Sequence, residues 1–271
     1  MFEVGVIGAG KIGSGIIKGL LEKNAFKCES IILSDVSEDI LNPIKNEYGI
    51  EVSLDNREVF SSSKIIIIAV KPNLIAPVLE SVKDINLKGK QIVSVAAGVP
   101  LRFIESMVND VPVIRIMPNI SLSIGFSPSC YSLGKHATKE NEEAFRKIFT
   151  NLGSVLKVEE AQMDAVTGLS GSGPAYVFSF LKALTEGGVK AGLPEEISKK
   201  LAIDTLYGAV LMADKTEKEF DELIKMVKTP GGTTEKGLIE LEKYSFEKGI
   251  IEAVKKATER SKELGEVYGK C

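Results

Sequence analysis

The 271-residue sequence predicts an α/β domain built on a mostly parallel sheet over residues 1–158, followed by an all-helical domain over residues 159–271. Three observations carry this expectation. Short β-branched runs alternate with helical patterns as far as Val158. Several of those runs are apolar throughout rather than alternating, as in strands covered on both faces. From about Glu159 the strand signal disappears.

Taken in chain order, the first run, Val4–Ile7, leads directly into Gly8-Ala9-Gly10-Lys11-Ile12-Gly13 and a helical stretch, Gly13–Lys23. Further runs follow at Ile31–Leu33, Ile65–Val70, Ile92–Val95 and Val113–Ile116. The segments between them are long enough for crossover helices, Asn73–Val82 among them, which is the rhythm of βαβ units. Two weaker runs, Ser129–Leu133 and Val155–Val158, flank a helical stretch at Glu140–Thr150. Four helices are then expected: Leu169–Gly188, Glu195–Ala213, Glu219–Val227 and Thr234–Leu264. Gly192-Leu193-Pro194 and Thr229-Pro230-Gly231-Gly232 supply breaks. The stretch Ala175–Leu184 is apolar nearly all round, so it has to be buried on more than one face. Residues 159–271 are too few to surround it, which predicts a homodimer with helices packed across subunits.

Composition narrows the chemistry. With 34 Lys+Arg against 37 Asp+Glu, the net charge of −3 lacks the basic footprint of a nucleic-acid binder. The longest apolar stretch, Ile65–Val70, falls far short of a membrane span, and no basic flank precedes the first apolar run as in a signal peptide. The expectation is a soluble, cytoplasmic protein without nucleic-acid or membrane partners. Cys28, Cys130 and Cys271 are scattered, without the pairing of a disulfide framework or a thiolate metal site. The single histidine, His136, reads as a solvated residue ahead of a helix rather than part of a triad or metal centre. No metal is expected, and any catalysis has to draw on a cofactor.

The glycine motif sits in the strand–turn–helix context that a dinucleotide requires. Gly8 permits the tight turn, Gly10 lets the backbone approach a pyrophosphate, and Gly13 allows close helix–strand packing. Lys11 and Ile12 open the helix, whose free N–H groups and dipole attract phosphates. Asp35, after Ser34, lies 22 residues beyond Gly13, near the usual offset of an acid that accepts from the adenosine ribose. An acid there repels a 2′-phosphate and leans towards NAD; the alternative reading of Asp35 is a helix N-cap. The strand ends Ala69-Val70-Lys71-Pro72, Ala96-Ala97-Gly98 and Met117-Pro118-Asn119 complete a site at one sheet edge.

Two segments in the helical half are glycine-rich, Gly168–Tyr176 and Lys228–Leu238. In the second, Pro230-Gly231-Gly232 just before a helix offers unobstructed backbone N–H groups to a small anion such as a carboxylate, with Thr233 and Thr234 adding hydroxyls. The alternative is a plain capping turn.

These segments, with Val70-Lys71-Pro72, Ala96-Ala97-Gly98, Arg115–Asn119, Ser172–Tyr176 and Glu186–Pro194, resemble the pyrroline-5-carboxylate reductases over essentially the whole chain. The resemblance implies a Rossmann domain followed by a helical dimerisation domain, with dimers often forming decamers. It implies reduction of 1-pyrroline-5-carboxylate to L-proline, the last step of proline biosynthesis, with NADPH or NADH that is not covalently held. By the same resemblance Thr229, Gly231, Gly232, Thr233 and Thr234 bind the substrate, Thr234 meets the ring nitrogen as the catalytic residue, and Glu217 lies nearby. Asn56 and Ala69–Pro72 match dinucleotide contacts. Lys228 departs from the family pattern, where a hydroxyl residue is common. The β-hydroxyacid dehydrogenases share the architecture but carry a catalytic Lys where this chain has Val177.

Overall fold

Eight strands of the computed structural model, which describes residues 1–268, form one sheet in the order β3-β2-β1-β4-β5-β6-β7-β8. They are β1 (Phe2–Ile7), β2 (Ile31–Ser34), β3 (Glu51–Ser53), β4 (Ser63–Ile68), β5 (Gln91–Ser94), β6 (Val113–Met117), β7 (Ser129–Leu133) and β8 (Val155–Lys157). All pairs from β3 to β6 are parallel; β7 runs antiparallel to β6, and β8 parallel to β7. The sheet is therefore mostly parallel, as expected. Its strand order reverses between β1 and β4, which makes their carboxyl ends the topological switch point where ligands of such sheets lie.

The helices are α1 (Lys11–Glu22), α2 (Glu38–Tyr48), α3 (Asn56–Ser62), α4 (Ile75–Glu80), α5 (Leu101–Met107), α6 (Lys139–Phe149), α7 (Met163–Val166), α8 (Gly173–Lys190), α9 (Glu195–Thr216), α10 (Phe220–Val227), α11 (Thr233–Lys243) and α12 (Phe246–Glu266). Helices α1, α2 and α6 cover one side of the sheet and α3, α4 and α5 the other, which is why its strands read as unbroken apolar runs. On one face Val4, Val6, Leu33 and Ile67 pack with Ile16 and Leu20 of α1 and Phe145 of α6. Alternate residues, Ile7, Ile32, Ile66 and Ile68, point to the other face and meet Phe60 of α3, Leu79 of α4 and Ile104 of α5. Each such buried aliphatic side chain stabilises by roughly 1.5–3 kcal/mol.

Two compact units emerge. The first comprises Met1–Ser172 with the described residues from Lys255 on; the second is Gly173–Val254. The last strand ends at Lys157, so the compact boundary lies later in the chain than the loss of strand signal. In the second unit, α8 and α9 approach closely where Ser198 Oγ donates to the Thr185 carbonyl at 2.7 Å. A Cβ on Gly188 would land on that same Ser198 Oγ. No residue of α8 is fully buried, and Val177 and Phe178 stand 44% and 62% exposed.

Three element expectations need correction. The helix expected from Leu169 begins at Gly173, because Thr167–Gly171 winds as a π-helical turn. The single helix expected over Thr234–Leu264 is two, α11 and α12. Ser245, left-handed at φ 53°, donates to the Glu242 carbonyl at 2.8 Å and accepts from Gly249 N–H at 2.9 Å. One helix thus closes and the next opens without the Gly or Pro that marks a break in sequence. The short strand β3, paired only with β2, carries no apolar run and was not expected. Among the described residues, no helix is long and apolar enough to cross a membrane.

Candidate active site

The switch point is built from backbone. Gly8 leaves β1 at φ +98°, its N–H bonded to the Ser34 carbonyl at 2.8 Å. A Cβ on Gly8 would come within 2.8 Å of the Ala69 carbonyl oxygen, and one on Gly13 would land on the Gly8 carbonyl. Packing within the protein therefore demands both glycines. Gly10 differs: a Cβ there would meet nothing within 4 Å. Its missing side chain clears open space directly in front of α1. Gly10 caps α1 with no side-chain hydrogen bond, and the first turn holds no acid. The first-turn amides of Lys11, Ile12 and Gly13 have no acceptor within the helix, as an anion site requires. These residues fit the pyrophosphate of a dinucleotide.

The loop is clasped from the neighbouring strand. Asp35 Oδ2 accepts from Ala9 N–H at 2.8 Å, and Oδ1 accepts from Ser37 N–H at 3.2 Å. Ser34 Oγ donates to Asn56 Oδ1 at 2.8 Å, drawing the start of α3 to the end of β2. Asp55 caps α3 by accepting Arg57 N–H at 2.8 Å, which orients Asn56. On the other side of the loop, Ala69 N–H bonds the Ile7 carbonyl at 2.7 Å, and Pro72–Leu74 forms a short turn after Lys71. The fold thus gathers Gly8–Gly13, Ser34, Asp35, Asn56 and Ala69–Pro72, although they span more than sixty positions of sequence. Gly98, at φ +74°, is buried. Its Cβ would sit 3.1 Å from the Ser261 carbonyl and Leu264 Cβ of α12, so packing alone accounts for the glycine, and Ala97 lies half-buried beside it.

In the second unit, residues 229–232 form a tight turn into α11. Gly232 N–H donates to the Thr229 carbonyl at 2.9 Å, and Gly231 is left-handed at φ +73°. A Cβ on Gly232 would land on Thr229 Oγ1. Gly231 N–H is engaged as well, donating to Glu235 Oε2 at 2.8 Å; Lys228 Nζ pairs with Oε1 of the same carboxylate at 3.6 Å. Two amides expected to face an anion are therefore committed inside the loop. The donors left at the helix start are the amides of Thr233, Thr234 and Glu235, with Thr hydroxyls beside them. Lys228, a departure from the family pattern, acquires a partner here, and the sequence reading missed Glu235 altogether. Glutamate at the third helical position is a capping signal, and that pattern could have found it.

Other candidates are not brought to these places. Glu217 closes α9 in the left-handed region (φ 52°), and no hydrogen bond or ion pair among the described residues joins it to the 229–234 turn. His136 lies at the opposite sheet edge, where Gly134 N–H bonds the carbonyl of Val113 at the start of β6. Its Nε2 is 3.6 Å from the exposed Asp110. Cys28 and Cys130 are free thiols, and burial pushes the Cys130 thiol above its ordinary range; Cys271 lies outside the described residues. Among the described residues no group of His, Cys, Asp and Glu could hold a metal ion. The glycine-rich Gly168–Ser172 segment packs on the end of β6: Asn119 Nδ2 donates to the Ser170 carbonyl at 3.2 Å, and a Cβ on Gly171 would lie 2.5 Å from Met117 Cε.

Known proteins match both regions of the chain. Residues 160–264 match the family described as pyrroline-5-carboxylate reductase dimerisation, and residues 3–98 match the NADP oxidoreductase family described as coenzyme F420-dependent. The pyrroline-5-carboxylate reductase of Methanosarcina acetivorans is 40% identical over 264 residues, covering 97% of this chain and 98% of the relative. That of Arabidopsis thaliana is 39% identical over 265 residues, covering 98% and 96%. The crystal structure of Plasmodium falciparum pyrroline carboxylate reductase with NADP bound superposes with a TM-score of 0.91 at 31% identity, covering 97% and 98% of the two chains.

Proposed function

The chain belongs to the pyrroline-5-carboxylate reductase family, and from that premise we propose how its residues carry the reaction, the NAD(P)H-dependent reduction of 1-pyrroline-5-carboxylate to L-proline that completes proline biosynthesis. It is an imine-reducing oxidoreductase. The observation that carries the cofactor assignment is the open space at Gly10 before the uncapped α1, at the switch point of the sheet. Gly8, Gly10, Lys11, Ile12 and Gly13 take the pyrophosphate, and Ser34, Asp35 and Asn56 the adenosine ribose. Ala69, Val70, Lys71, Pro72, Ala97 and Gly98 line the remaining strand ends. When bound, the dinucleotide supplies the hydride.

The substrate asks little further of the protein. A cyclic imine nitrogen takes a proton from water, and the resulting iminium is already electrophilic. The chain then has to fix the ring so that its carbon stands at about 3–3.5 Å from the hydride donor. The turn at Thr229, Gly231, Gly232 and Thr233 anchors the carboxylate. Thr233, Thr234 and Glu235 provide its free amides, and the Thr234 hydroxyl orients the ring nitrogen. That economy suits a chain whose one histidine lies at the far sheet edge.

We assign residues 1–158 to cofactor binding, and 159–271 to dimerisation and substrate binding. A second copy of the chain covers the apolar residues that the helical unit leaves exposed, with a decamer as the higher assembly and the cytoplasm as the place of work. The test is Thr234→Ala, assayed by loss of reduced-nicotinamide absorbance with pyrroline-5-carboxylate. Its kcat/KM falls roughly tenfold to a hundredfold, about 1.4–2.7 kcal/mol. An unchanged rate removes Thr234 from the chemistry, and turnover of 3-hydroxy acids would favour the dehydrogenase rival.

A further inference from the structure

NADPH differs from NADH by one phosphate, with close to two negative charges, on the adenosine ribose, and in a doubly wound sheet that ribose lies over the end of β2. In this chain the residue there is Asp35. Its carboxylate is held in place by Ala9 N–H at 2.8 Å and Ser37 N–H at 3.2 Å. Both donors are neutral amides, so no cation cancels its charge. Glu38 and Asp39 add two exposed carboxylates in the same turn, and the sequence from residue 28 to residue 44 contains no Lys or Arg.

Arg57 and Lys11 do not correct this imbalance. Arg57 follows Asn56, which the Ser34 hydrogen bond draws to the end of β2. Its guanidinium, however, is committed to Asp84 through two bonds of 2.7 and 2.6 Å. Lys11 stands at the start of α1, on the pyrophosphate side, and pyrophosphate is common to both dinucleotides.

We propose that this enzyme selects NADH, with Asp35 as the specificity-determining residue: it accepts from the ribose hydroxyls of NADH and repels the 2′-phosphate of NADPH. The proposal rests on the reading that the switch-point loop holds the dinucleotide. Even with water's full screening, two charges facing one at about 6 Å amount to roughly a tenfold preference, and partial burial raises it.

The experiment measures binding of NADH and of NADPH to the full chain without imine substrate, then kcat/KM with each. The wild-type protein is expected to bind NADH at least about tenfold more tightly, with kcat/KM following. Asp35→Asn keeps the acceptor for Ala9 N–H and narrows the ratio. Asp35→Ser combined with Val36→Arg turns it towards NADPH; Val36 is 88% exposed and free to accept the change. Equal or tighter NADPH binding by the wild-type protein overturns the proposal and leaves the cofactor site standing. Binding of neither dinucleotide overturns the site as well. An Asp35→Asn ratio equal to that of the wild type removes Asp35 from the selection.

Discussion

Replacing Gly232 by Ala isolates the turn we propose for the substrate from everything else in the molecule. The backbone at Gly232 (φ −78°, ψ 173°) suits any residue, so the substitution carries no conformational strain. The cost comes from the added Cβ, which lands on Thr229 Oγ1 and lies 3.0 Å from the Thr229 carbonyl oxygen. The hydroxyl can rotate away, but the carbonyl accepts the 2.9 Å bond that closes the turn and has to move. Overpacking of this kind costs about 1–3 kcal/mol, and relief by the hydroxyl places Gly232 in the lower part of that range. A loss of about 1–2 kcal/mol corresponds to roughly 5- to 30-fold in kcat/KM. Steady-state kinetics with varied pyrroline-5-carboxylate is the assay, and the effect is expected in the KM for the imine with the KM for the dinucleotide unchanged. The turn is largely exposed, so the melting temperature moves little. A wild-type imine KM, or a loss appearing in the dinucleotide KM, refutes the assignment of this turn to the substrate.

Two other outcomes test the scaffold. Arg115 is 4% exposed on β6 and pairs with Glu160 at 2.7 Å, while its second guanidinium nitrogen and the second Glu160 oxygen are buried without partners. Glu160→Gln leaves that guanidinium without a counter-charge. The expected loss is about 3 kcal/mol, or roughly 6–12 °C in thermal melting; a shift under about 1 °C shows that the pair is structurally idle. Sedimentation of the full chain at micromolar concentration is expected to show at least a dimer, because α8 leaves Val177, Phe178 and Leu184 exposed in a single copy. A monomer there contradicts the reading of the helical unit.

Legibility in the sequence followed burial and local chemistry. Parallel strands covered on both faces have no polar side to display, so β1, β2, β4, β5 and β6 stood out as apolar runs. The edge strand β3, half-exposed and three residues long, did not. The spacing of Gly8, Gly10 and Gly13 is local, set by one turn between a strand and a helix, and a rule captures it, although Gly8 also has to clear the distant Ala69 carbonyl. The break at Ser245 was hidden because a left-handed serine within good helical sequence carries no breaker signal. Gly98 suggested a strand end facing a ligand, yet a close approach to α12 accounts for it; in the glycine-rich Gly168–Tyr176 segment Gly171 approaches Met117, whereas a Cβ on Gly173 would meet nothing within 4 Å.

By itself the sequence determined that a mostly parallel sheet precedes a helical region, that a glycine-rich turn joins the first strand to a helix, and that a second glycine-rich turn opens a late helix. Each of these is written in neighbouring residues, through apolar periodicity or a backbone that only glycine permits. Only the tertiary structure decided which groups remain available. It committed Gly231 N–H to Glu235, took Arg57 out of play through Asp84, and clasped Asp35 to Ala9 across 26 positions of chain. A hydrogen-bond donor or a charge acts on a ligand only if no other part of the protein has already satisfied it. That accounting depends on which distant residues the fold brings within reach.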